Sequence, residues 1–132
     1  MVASTQALLD IEKGHVASAS LKAFFGIMDE WDLGNEDARV LLGSPPTRTF
    51  HRMKRLEVPK LSHDTLERIS YVLGIYKALH ILLPDAQIAN AWIKKPNTAA
   101  PFNGQSASKK LLGGNVVDLV DVRRYLDAER GH

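Results

Sequence analysis

Apolar residues recur at helical spacing along most of this chain. Between residues 62 and 83 they return every three or four positions, which places them on one face of a long α-helix. The same period predicts shorter helices near residues 20–29, 35–42, 48–56, 85–95 and 106–112, and a last helix after Asn115. No segment alternates polar and apolar residues as a half-buried strand would. We therefore predict an all-α fold.

Residues that favour helix ends support these boundaries. Asn35, Thr47 and Asn115 are predicted N-caps, and Ser62 or Asp64 is predicted to cap the long helix, because short polar side chains accept hydrogen bonds from free N–H groups. Two prolines at 45 and 46 predict a stiff turn before the helix at 48–56. Residues 1–19 are expected to form a loosely held arm, since their periodicity is short.

Composition excludes several classes of protein. The 132 residues are 45% hydrophobic, enough for a compact domain, and contain no cysteine, so disulfides and thiolate metal sites are absent. The five histidines lack the close paired spacing of zinc ligands, and we expect no bound metal. No apolar stretch approaches the roughly 20 residues that span a bilayer, and no signal peptide is recognisable. The sequence predicts a cytoplasmic protein without membrane contact.

Candidate catalytic groups are sparse. Asp118 and Asp121 share a helical face, but no histidine or third acid accompanies them, so we interpret them as a solvated face in the first turns of the last helix. Ser70 and His80 stand in the long helix without a nucleophile motif, and no glycine-rich phosphate loop occurs. We predict no catalytic residue and no enzymatic activity.

Residues 35–56 are arranged as a helix-turn-helix. A capped helix, a tight turn and a second short helix follow one another there. Between Arg39 and Lys60, six basic residues stand against the single acid Glu57, a local excess of five positive charges. Such a block attracts a polyanion, although the net charge of the whole chain is only +2.

A helical wheel places three arginines opposite the apolar side of the second short helix. With Phe50 facing inward, Arg48, Arg52 and Arg55 fall at roughly 160°, 200° and 140°. Arginine can pair with guanine in the major groove or hold phosphate, and nearby hydroxyls can donate to phosphate. The alternative is that these arginines only solvate a surface helix. The predicted DNA-binding residues are Ser44, Thr47, Arg48, Thr49, His51, Arg52 and Arg55.

Three motifs resemble the Xre/MbcA/ParS antitoxins. They are LERISYVLGIYKALH at 66–80, AWIKKPN at 91–97 and DLVDVRRYLD at 118–127, and the similarity extends from about Phe24 to the end. In many relatives a proline opens the short helix that follows the second motif. Residues 104–108, Gly-Gln-Ser-Ala-Ser, lack that proline.

The resemblance implies an antitoxin whose partner is a RES-domain toxin that destroys NAD. It also implies an Xre-like helix-turn-helix DNA-binding domain over 20–83 and a toxin-binding domain over 84–132, after the flexible arm that we expect over residues 1–19. Such an antitoxin needs no cofactor, forms homodimers, covers the toxin's active site and represses its own operon by binding operator double-stranded DNA.

The last helix is the expected toxin-binding element. It combines an apolar stripe with charged residues near the end of the sequence, and we hypothesise that residues 124–132 enter the toxin, with Asp127 and Glu129 meeting its cationic groups. Two alternatives remain open: this helix only packs on the long one, or the protein is a stand-alone helix-turn-helix transcriptional repressor without a toxin. The predicted toxin-binding residues are Arg123, Arg124, Tyr125, Asp127, Glu129, Arg130 and His132.

Overall fold

The chain is a bundle of helices joined by short turns. The structure is a computed structural model that describes residues 5–131, apart from the side chains of Asp10 and Ile11. Within that range the helices are α1 (Thr5–Glu30), α2 (Asn35–Leu41), α3 (Thr47–Lys54), α4 (His63–Leu82), α5 (Ala86–Trp92), α6 (Ala107–Leu111) and α7 (Val116–Glu129). The same range contains no strand, only an isolated bridge between Pro96 and Ser106. The predicted all-α class is confirmed.

The first helix begins much earlier than the sequence predicted. Most of the segment expected to be a loose arm is helical, since α1 starts at Thr5 instead of near Ser20; residues 1–4 lie outside the described part. Alanine, leucine, glutamate and lysine favour helix there, although Leu8, Leu9 and Val16 are exposed and give no amphipathic period. The arm prediction followed that missing period and was wrong for the described residues.

Helix caps agree with the sequence at some ends and differ at others. The Ser62 hydroxyl accepts the Thr65 N–H at 3.1 Å, as predicted for α4. Asn35 and Thr47 are instead the first residues of α2 and α3, and the N-caps are the preceding Gly34 and Pro46. Both preceding residues have an extended ψ, so each helix starts one position earlier than predicted.

The absent proline does not prevent α6 from forming. Ser106 caps this helix, because its hydroxyl accepts the Lys109 N–H at 3.2 Å. At the start of α7, Asn115 is the N-cap as predicted, and its own N–H donates to the Asp118 carboxylate at 3.3 Å. A short polar side chain therefore caps α6 although the proline is absent.

Helix α4 is the centre of the core, and α7 packs along it in the same direction. The Arg68 guanidinium near the start of α4 donates to the carbonyl of Gly114, just before α7, at 3.0 Å. Further along, Gly74 makes room for Arg123, since an added Cβ would lie 1.4 Å from its Nη1. Helix α1 packs on α4 and α3. The buried residues of α4 and α7 are Thr65, Ile69, Val72, Ile75, Ala78, Leu79, Leu119, Val122 and Leu126.

Membrane insertion finds no support in the described range. None of the helices between residues 5 and 131 has both the length and the apolar character needed to cross a bilayer.

Candidate functional site

A tight turn joins α2 to α3 through two residues in the left-handed region. Gly43 has a φ of 97° and Ser44 a φ of 57°, so the chain reverses within two positions. Their N–H groups donate to the carbonyls of Val40 and Arg39 at 3.0 and 2.9 Å, which satisfies the last carbonyls of α2. Pro45 and Pro46 then lead directly into α3, and this sequence of turn and prolines sets the angle between the two helices.

Arg39 ties this turn to α2. Its Nε and Nη2 donate to the Glu36 carboxylate at 3.1 and 2.8 Å, and its Nη1 donates to the Pro45 carbonyl at 2.9 Å. The hydrogen bonds from Arg39 hold the pKa of Glu36 below its usual value. Sequence analysis counted Arg39 in the basic block that attracts a polyanion. The structure shows that its guanidinium is already used to fix the turn.

Helix α3 has one buried side and one exposed side. Phe50 and Met53 are buried, and the Phe50 ring meets the Phe25 ring of α1 edge to face at 5.8 Å. Arg48 and Arg52 are exposed. The helix therefore rests on α1 by its apolar side and presents two guanidinium groups to solvent.

The three predicted arginines differ in their contacts. Arg48 has no hydrogen bond or ion pair with any residue from 5 to 131. Arg52 makes one long hydrogen bond, 3.4 Å, from Nη2 to the carbonyl of Glu57. Arg55 lies just beyond the helix, as its C-cap, and its Nε is 3.1 Å from the Glu57 carboxylate in a pair that is 57% exposed on both sides. Such exposed pairs contribute at most about 1 kcal/mol, so Arg55 can leave Glu57 and pair with another anion at little cost.

The other predicted DNA-binding residues surround α3. Ser44 and Thr47 are exposed in the turn and at the start of the helix, and Thr49 is half-buried. His51 is exposed, with its ring 5.7 Å from that of Phe50. No side chain caps the start of α3. The turn and the first turns of α3 thus form one polar surface beside Arg48.

At the end of α7, four of the predicted toxin-binding residues make contacts within the protein: Arg123, Tyr125, Asp127 and Arg130. The half-buried Tyr125 ring stacks on Trp92 at 6.2 Å and meets Phe102 edge to face at 5.0 Å. Asp127 accepts hydrogen bonds from Arg123 Nε at 3.1 and 3.2 Å, and Arg130 Nη1 lies 3.9 Å from it. Tyr125 and Asp127 therefore stabilise the domain instead of standing free.

Two other predicted residues of α7 remain exposed. Arg124 and Glu129 have no ion pair with any residue between 5 and 131. His132 lies outside the described residues. Because exposed and uncompensated charges can pair with a partner without first breaking a contact, Arg124 and Glu129 are the two predicted positions most available to one.

Asp118 and Asp121 are not the solvated face that the sequence suggested. Lys110 Nζ lies 3.4 Å from Asp118 and 3.1 Å from Asp121, and the lysine side chain is only 19% exposed. Burial alone lowers the pKa of Lys110, but its hydrogen bonds to Asp121 and Asp118 and their charges outweigh burial and raise it. The three residues form a structural clamp between α6 and α7. No cluster suited to a metal ion occurs among the residues described.

The clamp predicts a measurable pH dependence. Because Lys110 holds its proton more tightly when folded, the free energy of unfolding should fall as pH rises above 10.5, its ordinary pKa, through the higher folded value. The Lys110→Met variant should lose about 1–3 kcal/mol at neutral pH and show a flatter fall above pH 10.5. Urea unfolding across this pH range measures both.

Lys109→Met is the matched control, because Lys109 is exposed and its side chain makes no hydrogen bond or ion pair with residues 5–131. The pKa of Tyr76 is raised by its hydrogen bond to Glu30. This tyrosine is present in the wild type and in both lysine variants, so its contribution to the pH dependence should be the same in all three proteins. If the two lysine variants gave the same alkaline slope, the clamp would not explain the pH dependence.

Sequence reasoning missed Arg68, which joins the two halves of the protein. It pairs with Asp64 at 3.0 Å, donates to the Gly114 carbonyl and lies against Gly43 in the α2–α3 turn, where an added Cβ would be 3.1 Å from its Nε. The arginine is only 12% exposed. The sequence shows that Arg68 lies in the first motif, but it does not show that the distant Gly114 is its partner.

Two family models match consecutive parts of this chain. The first, described as the antitoxin Xre-like helix-turn-helix domain, matches residues 16–74. The second, described as the antitoxin Xre/MbcA/ParS C-terminal toxin-binding domain, matches residues 78–131. The chain belongs to the Xre family of antitoxins. This antitoxin carries α2 and α3 within the first match and α5, α6 and α7 within the second.

A curated relative is similar to this chain over most of its length. The antitoxin is 47% identical over 113 residues to the "Uncharacterized protein y4oB" of Sinorhizobium fredii (strain NBRC 101917 / NGR234). The similarity covers 86% of this chain and 85% of that protein. The likeness therefore extends through both matched regions and not through one motif alone.

Proposed function

We propose that this antitoxin neutralises a RES-domain toxin that degrades NAD and represses its own operon by binding operator DNA. It acts in the cytoplasm as a homodimer, without a cofactor and without catalysis of its own. The observation that carries this proposal is the pair of matches, to an antitoxin helix-turn-helix domain at 16–74 and to a toxin-binding domain at 78–131.

The exposed side of α3 supports the DNA-binding half of the proposal. Arg48 and Arg52 project from the side opposite the buried Phe50, and neither is held in an ion pair with residues 5–131. In a helix-turn-helix the second helix enters the major groove, where arginine reads guanine or holds phosphate. A dimer would present two such helices to two half-sites, which suits a repressor of its own operon.

The end of α7 supports the toxin-binding half. Arg124 and Glu129 are exposed and unpaired within the described range, and they lie in the last turns of the matched toxin-binding region. Exposed charges at the end of a helix can pair with a partner without disturbing the core behind them. We assign residues 124–132 to the contact that covers the toxin's active site.

Co-expression with the adjacent reading frame tests this function. We expect a stable complex in which the partner's NAD hydrolysis is suppressed by the full chain. A chain ending at Asp127, which keeps the buried Leu126, should still fold but inhibit at least about tenfold less well, because it lacks exposed charges of the proposed contact. Circular dichroism checks the fold.

Two results decide against the proposal. Full inhibition by the shortened chain removes the assigned contact. A partner that never co-purifies, with DNA binding intact, identifies a stand-alone repressor instead.

A further inference from the structure

A small groove opens where the carboxy-terminal ends of α4 and α7 meet α5. Its floor is aliphatic, its wall is the stacked pair of Trp92 and Tyr125 rings, and its rim carries the carboxylate of Glu129. The cavity is about 180 Å³, which is room for one side chain and not for a helix or a nucleotide. The lining residues are Leu79, Leu82, Leu83, Trp92, Tyr125, Leu126 and Glu129.

Glu129 and two helix ends contribute negative charge to this groove. Helices α4 and α7 run in the same direction, so both of their negative dipole ends point toward the groove. The last turn of α7 contains no basic residue, and its C-cap, Arg130, lies with Nη1 3.9 Å from the Asp127 carboxylate. In the last turn of α4, His80 is already engaged, since its Nε2 lies 3.1 Å from the Asn90 amide oxygen. Glu129 has no ion pair with any residue between 5 and 131.

We infer that this groove receives a long aliphatic side chain with a cationic head, an arginine or a lysine, from the toxin. This inference rests on the proposed function and names the chemistry of the partner at one point of the interface. The aliphatic stem contacts the leucine floor, the head lies near the Trp92 and Tyr125 faces, and its charge meets Glu129 and the two helix ends.

Continuity with the toxin-binding region favours the toxin as occupant. Trp92, Tyr125 and Glu129 all lie within the match at 78–131, and the groove adjoins the end of α7 that we assign to the toxin contact. A basic side chain in this groove would anchor the partner beside that helix end. Buried anchors of this kind carry most of the affinity of an interface.

Titration with a small probe tests the groove without any toxin. N-acetyl-arginine methylamide should bind the full-length protein with a millimolar Kd, the order expected for so few atoms, and shift the NMR signals of the Trp92 indole and the Leu83 methyls. The citrulline counterpart, which has the same shape but no charge, should bind at least about threefold more weakly. Equal binding of the two amides, or shifts confined to other residues, overturns the inference.

Substitutions at the rim and floor test the role of the groove in the complex. In the co-purified complex, Glu129→Gln should weaken affinity about three- to fivefold, as expected for an exposed charge pair, and Leu83→Ala about tenfold. Glu12→Gln on α1, an exposed acid far from the groove in sequence and structure, is the control and should change nothing. Unchanged affinity in both groove variants overturns the assignment.

The probe titration and the variants of the complex together distinguish failure of the groove proposal from failure of the proposed function. A toxin complex whose affinity is unchanged by Glu129→Gln and by Leu83→Ala refutes the groove proposal alone. Absence of any toxin complex refutes the proposed function and the assigned occupant together, whatever the arginine amide does.

Discussion

We expect operator affinity to fall at least about thirtyfold in the Arg48→Ala, Arg52→Ala double variant. Each arginine that contacts a base or phosphate is worth about 1–3 kcal/mol, so two contacts remove at least about 2 kcal/mol. The dependence of affinity on salt also flattens by about one to two units of slope, because fewer counterions are released. Fluorescence anisotropy with a duplex from upstream of the gene, repeated at several salt concentrations, measures both.

The control for this experiment is Lys77→Ala, an exposed cation on α4 that lies outside the helix-turn-helix turn. It changes the net charge by one and should leave the salt slope within experimental error. Should the double variant bind with wild-type affinity and slope, α3 is not the DNA-reading helix. The arginines would then only solvate it, the alternative that the sequence left open.

Arg39 shows why counting charges in the sequence overestimates the DNA-binding surface. It belongs to the same basic block as Arg48, but its guanidinium bridges Glu36 and the Pro45 carbonyl. That arrangement depends on a turn in which Ser44 adopts a positive φ. The wheel could separate inward from outward positions of α3, but it could not show which outward-reaching charges are already bound.

Helices with a strong apolar period could be predicted from the sequence, and those without one could not. The period and the Ser62 cap defined α4 to within a residue, and Asn115 located the start of α7. The first half of α1 was not predicted, because Leu8 and Leu9 are exposed and no buried apolar face indicates a helix there.

Contacts between distant segments explain the remaining differences. Asp118 and Asp121 looked solvated because their partner, Lys110, stands on another helix. Arg68 is another example, since its hydrogen bond to Gly114 spans 46 positions. Periodicity reports which side of a helix is buried and carries no information about which polar residues of other helices meet there.

Arg68 also connects the two regions that the family models describe. Helix α4 begins in the helix-turn-helix match and ends in the toxin-binding match, so both regions share one core element. Because Arg68 contacts the α2–α3 turn on one side and the residue before α7 on the other, the orientation of that turn is fixed relative to α7. A rigid connection of this kind would hold the two proposed binding surfaces at a constant distance.

The largest loss of stability should follow the removal of a buried leucine from α1. Leu21 is fully buried in the core, and Leu21→Ala should lower the free energy of unfolding by about 2–5 kcal/mol through lost apolar contact and an unfilled cavity. Leu8→Ala makes the same chemical change on the same helix, but Leu8 is 55% exposed, so its effect should stay within about 0.5 kcal/mol. Urea unfolding at one protein concentration gives both values, since dimerisation would make stability depend on concentration. Because small domains are stable by only about 5–15 kcal/mol, the Leu21 change removes a large share of the total. Equal effects of the two substitutions would mean that α1 does not pack on α4 as the structure shows.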